Sequence, residues 1–156
     1  MNAGCLFTNG KHILAGYQGS ISGIGGKAEE GEEPQATALR ETMEEIFGIY
    51  GFDIENIRLT PQKIIVKKSY TAFVYSFDDL EAMCGVLRLC GIESPFYTKI
   101  PTTVWELVLK RLPNDSEVSA LCILPVVNHP REVPFVEPYF VSDIRALIRV
   151  NALENA

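Results

Sequence analysis

No stretch of the 156 residues approaches a run of about 18 apolar side chains, so no membrane-spanning helix is expected. The start, MNAGCLFTNGKH, lacks a basic region followed by an apolar segment of signal length, which predicts a cytoplasmic-type compartment. Cysteine is sparse: Cys5, Cys84, Cys90 and Cys122 form no C-x-x-C pair, and neither His12 nor His129 stands close to one of them. No zinc or redox motif results, and cysteines set among apolar neighbours read as small core residues. His12 and His129, beside Asn9-Gly10 and Pro130, read as surface imidazoles. Positive charge is short as well. The 14 Lys+Arg against 20 Asp+Glu give a net charge of −6, which argues against a general nucleic-acid binder, since duplex affinity rests on neutralising phosphates. Repeats, low-complexity tracts and interdomain linkers are missing too, so residues 1–156 are expected to form a single domain.

What is there centres on GGKAEEGEEPQATALRETMEEIFGI, from Gly25 to Ile49. Pro34 suits the first helical turn, where its fixed backbone angle and missing N–H do no harm, and the helix is expected to run to about Phe47. At roughly 100° per residue, Glu41, Glu44 and Glu45 share a wedge of about 100°. Ala36, Leu39, Met43 and Ile46 then form the core face. Like charges at these spacings repel, at a cost of a few tenths of a kcal/mol per pair (~0.3) on a solvated helix. A hard dication reverses that sign. Mg²⁺ or Mn²⁺ takes oxygen ligands and completes its shell with water and phosphate oxygens. Gly23, Gly25, Gly26 and Gly31, just before the helix, permit backbone angles that bring carbonyls and amides close to a ligand. An acidic metal site accepts a polyanionic nucleotide despite the net charge, because the cation and local lysines set the local field.

The stretch resembles the signature of the Nudix hydrolases, G-x5-E-x7-R-E-U-x-E-E-x-G-U, where U is a bulky aliphatic residue. Gly26, Glu32, Arg40, Glu41, Glu44 and Glu45 stand at the matching spacing. Thr42 replaces the first aliphatic position, and Ile46-Phe47 inserts one residue before Gly48, which predicts a longer C-terminal turn. The resemblance implies an α/β/α sandwich with a mixed sheet. It also implies that Glu41, Glu44 and Glu45 hold Mg²⁺ or Mn²⁺ with the Gly26 carbonyl, and that an internal Glu32–Arg40 ion pair holds the glycine loop against the helix. The preceding ISGIGGK is similar to the W-N-G-x-G-G-K of relatives that hydrolyse nucleoside triphosphates, with Ile21 and Ser22 in place of the tryptophan and asparagine. Lys27 reads either as a phosphate contact or as a solvated side chain. Glu44 or Glu45 is a candidate general base, and so are Glu81, Glu93, Glu106, Glu117, Glu132 and Glu137 on later segments.

Around this centre an α/β pattern is expected. Asn9-Gly10 predicts a hairpin joining Cys5–Phe7 to His12–Leu14. Strands are predicted at Ile57–Leu59, Gln62–Val66, Tyr70–Phe77 and Ala120–Val127, the last with Pro125 marking an edge or bend. Lys63, Lys67 and Lys68 read as a basic strip or, more simply, as a guarded sheet edge. Phe73 and Tyr75 are candidates to stack a base, against ordinary packing. Helices are predicted at Asp78–Gly91, at Thr103 up to Pro113 with a Thr103/Glu106 capping box, and from a cap at Ser142 and Asp143 with Ile144, Leu147 and Ile148 docking. Asn128 to Pro138 reads as a proline-rich connection. The two middle helices look like additions that serve as a lid, a substrate wall or a homodimer surface. Three functions follow: pyrophosphohydrolysis of a small nucleotide or nucleoside-diphosphate derivative, including sanitising of nucleoside triphosphates; hydrolysis of a capped RNA 5′ end; and a nucleotide-binding module without turnover.

Overall fold

Asn9 and Gly10 turn the chain between its first two strands. The Asn9 carboxamide oxygen accepts the N–H groups of Lys11 (2.9 Å) and His12 (2.7 Å), and Gly10 takes φ +88. The computed structural model describes residues 1–126 and 135–155. Among them the order is β1 Asn2–Thr8, β2 His12–Tyr17, β3 Ile21–Ser22, β4 Ile24–Lys27, α1 Pro34–Phe47, β5 Lys63–Val66, β6 Tyr70–Ser76, α2 Phe77–Leu89, α3 Val104–Leu109, β7 Ala120–Pro125 and α4 Pro138–Asn155. The strands form one mixed sheet. Its path runs β3-β2-β1-β6-β5, with β4 also pairing β1 and β7 pairing β2.

Strand β1 organises it. On one side it lies parallel to β6, from Asn2 opposite Tyr70 to Thr8 opposite Ser76; on the other its first half pairs antiparallel with β4, Ala3 opposite Gly26 and Gly4 opposite Gly25. That register is what carries the glycine strand to the N-terminal end of β1. Side chains alternate across the sheet with a period of two. Ala3, Cys5, Phe7, Phe73 and Tyr75 therefore pack on the layer of α1, α2 and α3, while Leu6, Ala72 and Val74 pack on α4 through Phe140, Ile144 and Leu147. The result is the α/β/α sandwich expected from the sequence, with α2 and α3 on the α1 side.

Helix α1 runs over the expected residues and ends at Gly48, whose N–H donates to the Glu44 carbonyl and whose φ of +66 brings the Ile49 N–H back to the Met43 carbonyl. Leu39, Met43 and Ile46 are buried and Ala36 is half-buried. Thr42 is buried as well: its hydroxyl donates 2.8 Å to the Ala38 carbonyl, so a polar side chain fills an aliphatic position without an unmet hydrogen bond. Phe73 and Tyr75 are core residues, 6% and 0% exposed, which rules out their stacking a base on an open face.

Several expectations are corrected. Ile57–Leu59 is not a strand; Ile54–Asn56 forms a 3₁₀ turn whose cap, Asp53, accepts the Glu55 N–H, and Ile57 serves the core from the turn's end. Helix α2 starts earlier than expected, at Phe77, because Ser76 and Asp79 make a complete capping box. Helix α3 stops at Leu109, and Thr103 caps it by accepting the Glu106 N–H. Strand β7 ends at Pro125, although the Val126 N–H still reaches the Lys11 carbonyl at 2.8 Å, and Val127 lies outside the described residues. Helix α4 begins at Pro138, in the position that tolerates proline, so Ser142 and Asp143 lie inside it instead of capping it. Cys90 is exposed, and His12 is half-buried with its ring edge-on to Trp105 at 5.7 Å. His129, Pro130, Glu132 and most of the proline-rich connection lie outside the described residues.

Candidate functional site

The glycine strand β4 and the acidic face of α1 meet at Arg40. Its guanidinium is forked onto Glu32, Nε to Oε2 at 2.8 Å and Nη2 to Oε1 at 3.0 Å, and the same Nη2 donates to the Lys27 carbonyl at 2.9 Å. Glu32 also accepts from the Thr37 hydroxyl (2.7 Å) and the Glu29 N–H (3.1 Å). One arginine thus ties the loop between β4 and α1 to the helix, as the ion pair implied by the sequence requires. The Arg40 hydrogen bond, against a smaller opposing effect of burial, holds the Glu32 carboxyl down at about 2.

Arg40 reaches further. Its Nη1 donates to Glu41 Oε1 at 3.1 Å and to Glu44 Oε2 at 3.2 Å, so two of the three candidate metal carboxylates share its remaining edge. Glu45 turns the other way: its Oε1 accepts the Gly25 N–H at 2.9 Å. The helix face carries all three carboxylates, but Glu41 and Glu44 gather on Arg40 while Glu45 points to the glycine strand. Among the described residues no three His, Cys, Asp or Glu side chains stand together as a ready ligand cluster. Burial raises the Glu41 carboxyl above the usual range, and Glu44 adds to the rise against the pull of Arg40. Burial raises Glu45 more strongly, with Glu41 and Glu117 adding to the rise against the Gly25 N–H.

The glycines are there for space. A Cβ on Gly26 would stand 2.5 Å from the Glu41 carboxyl, and one on Gly25 would stand 2.7 Å from both the Ala3 carbonyl oxygen and the Tyr70 hydroxyl. The strand can therefore lie against the carboxylates only without side chains. Three half-buried carboxylates on one helix face, Glu41 and Glu45 raised in proton affinity and faced by bare backbone, are the donor chemistry of a hard dication. Glu41, Glu44, Glu45 and the Gly26 carbonyl fit such an ion. Lys27 ends β4 with an exposed side chain, and its carbonyl accepts from Arg40.

The structure adds residues that no local pattern in the chain points to. Arg111, beyond α3, is stacked on the Phe96 ring at 4.3 Å and donates to the carbonyls of Ile46 (2.6 Å), Glu45 (2.9 Å) and Val118 (2.7 Å). It closes the C-terminal turn of α1 with a cation, which the helix dipole favours, and it brings the loop carrying Glu117 to the same turn. Among the described later glutamates considered as bases, Glu117 contributes its charge at Glu45. Glu81 instead accepts the Val104 N–H, Glu106 pairs with Lys110, and Glu137 holds Ser20. Beside Gly25 and Gly26 a cavity of about 340 Å³ opens, walled by Tyr70, Tyr139, Lys67 and Asp143.

Comparison with known proteins follows the geometry. A family model described as NUDIX domain matches residues 1–82, more than half of the chain and the part that carries β1 to α1. Among solved structures, the chain is similar to a Nudix hydrolase from M. Smegmatis, RenU, with a TM-score of 0.51 at 16% identity, over 97% of this chain and 85% of that one. It also aligns with a NUDIX family hydrolase from Clostridium perfringens, with a TM-score of 0.47 at 14% identity, over 96% of this chain and 95% of that one. At such identities the RenU likeness bears on the fold alone. No curated protein matches the chain in sequence.

Proposed function

The chain belongs to the Nudix family, whose members hydrolyse pyrophosphate linkages, and on that premise we propose that it cleaves the diphosphate of a small nucleotide or nucleoside-diphosphate derivative with Mg²⁺ or Mn²⁺. The observation that carries the reading is the junction at Arg40 and Gly25, where a bare glycine strand is held against Glu41, Glu44 and Glu45. Family members generally use divalent metal ions. Here Glu41, Glu44, Glu45 and the Gly26 carbonyl would hold the ion. When bound, it supplies Lewis-acid stabilisation of the charge that builds on the phosphoryl oxygens.

The chain's own residues do the rest. Glu32 and Arg40 fix the loop, so that the Gly25 and Gly26 backbone offers the diphosphate a surface with no side chains in the way. Lys27, exposed at the end of β4, is placed to meet the outer phosphate. A carboxylate accepts the proton of the attacking water, which makes the water a better nucleophile toward phosphorus. Glu45, whose proton affinity is raised, and Glu117, whose negative charge adds to that rise, are the candidates. With 20 acidic against 14 basic residues, the chain favours a small phosphorylated substrate over a long nucleic acid.

Phosphate release from a panel of nucleoside triphosphates, nucleoside-diphosphate sugars, capped dinucleotides and a capped RNA, with Mg²⁺ or Mn²⁺, tests the proposal. Turnover of a small-nucleotide class, abolished in Glu45→Gln, is expected. Turnover of capped RNA alone would replace this reading with decapping.

A further inference from the structure

The cavity beside the glycine strand has a chemical polarity of its own. One side is the backbone of Gly25 and Gly26, next to the carboxylates of α1. The lining also takes in Asp143 of α4, Lys67 from the turn between β5 and β6, and the side chains of Tyr70 and Tyr139. Asp143 is only 3% exposed. Its Oδ1 accepts the Lys67 ammonium, and among the described residues no donor engages Oδ2. A carboxylate that lines a cavity with its second oxygen still open can accept a further donor.

That pairing decides which end of a substrate goes where. A phosphate at Asp143 would face a carboxylate, and the Lys67 charge is already committed to Asp143, with a further hydrogen bond to the Ser142 hydroxyl. Phosphates are therefore turned toward Gly25 and Gly26. The far end favours an uncharged group that donates N–H, and the flanking tyrosines suit a flat ring. A volume of about 340 Å³ lies within the range of small-molecule sites, roughly 300–1,000 Å³, and has room for a nucleoside. Burial raises the Asp143 carboxyl, against the pull of Lys67, so a further donor would relieve a group held under desolvation.

We propose that this cavity takes the nucleoside end of the substrate and that Asp143 selects a base carrying an amino group, which it reaches through Oδ2. The proposal rests on the nucleotide reading above and names its substrate class. An amino base donates to the carboxylate, whereas the corresponding carbonyl base turns an acceptor toward it.

The test is equilibrium binding of ATP against ITP and of CTP against UTP, by calorimetry in the Glu45→Gln protein, with and without Asp143→Asn. With Asp143 present, the amino member of at least one pair should bind about ten- to a hundredfold tighter, the range of one charge-assisted hydrogen bond. Asparagine, which offers both a donor and an acceptor, should bring that preference to within about threefold. A preference unchanged by Asp143→Asn would overturn the assignment. So would an equal loss for 2′-deoxy-ATP, which would move Asp143 to the ribose. If Asp143→Asn does not fold, Tyr139→Ala, at a half-exposed wall position, should weaken ATP at least about tenfold, the scale of a lost base stack, with an unchanged melting temperature; unchanged affinity would exclude the cavity. Because binding is read apart from turnover, a base preference in this variant together with no hydrolysis by the parent would sink the catalytic reading and keep the cavity. Hydrolysis without any base preference would do the reverse.

Discussion

One nitrogen of Arg111 donates to the backbone carbonyl of Glu45 at 2.9 Å, so the last turn of the helix that carries the acidic face is held by a residue 66 positions further along the chain. The same guanidinium closes on Ile46 and Val118 and rests on Phe96. Burial lowers its pKa, yet an arginine keeps its charge, and three carbonyls accept it. Arg111→Met should leave those carbonyls without their partner and cost about 2–3 kcal/mol in chemical denaturation. Turnover should fall through kcat more than KM, and Arg111→Lys should restore it only in part, because one ammonium cannot span the three acceptors. Equal stability of Arg111→Met and the parent would contradict the role given to this clamp.

Acid should loosen the loop that Arg40 holds. Glu32 has a folded pKa near 2 against an ordinary 4.5, chiefly through its Arg40 hydrogen bond. Between those values the unfolded chain binds more protons than the folded one, so stability rises with pH. The contribution is fully present above about pH 4.5 and is lost as pH falls toward 2. Urea denaturation across that window should show a shallower fall for Glu32→Gln than for the parent. Parallel curves would mean that the ion pair does not stabilise the fold.

Gly26 tests whether the strand must lie bare against the carboxylates. A methyl there would stand 2.5 Å from the Glu41 carboxyl, the far end of a flexible side chain, so the fold should tolerate Gly26→Ala while Glu41 moves. Turnover should drop at least about tenfold, roughly 1.4 kcal/mol in the barrier, with little change in melting temperature. Full activity would show that the position of Glu41 against β4 does not matter.

Metal removal gives a separate readout. Chelation should abolish turnover, and Mg²⁺ or Mn²⁺ should restore it in the parent but not in Glu44→Gln or Glu45→Gln. Both variants should fold normally, because the acidic face lies opposite Leu39, Met43 and Ile46. Activity that survives chelation would contradict the assignment of the acidic face.

What could be read in the sequence followed from local rules. Pro34 and Gly48 mark the ends of α1 because proline suits a first turn and glycine suits φ +66. Glu32 and Arg40 were legible through the resemblance to the Nudix signature, which implies their ion pair. Local rules also misled. Ser142 and Asp143 have the chemistry of a helix cap, but Asp143 is taken by Lys67, 76 residues earlier, a partner that sequence spacing cannot suggest. Ile57 to Leu59 has the composition of a strand, but the preceding turn at Ile54–Asn56 consumes the backbone bonds a strand would need. Arg111, Tyr139 and Asp143 lie past the part of the chain that the family model covers, and they meet Glu45, Tyr70 and Lys67 only in the fold.

The most direct test of the account is phosphate release from the nucleotide panel by the parent and by Glu45→Gln, with Mg²⁺ or Mn²⁺ present. The account predicts turnover of a small nucleotide class by the parent and a loss of at least about a hundredfold in the variant, the scale of a missing acid–base group. Equal turnover by the two proteins would contradict the site placed at Glu45 and the glycine strand.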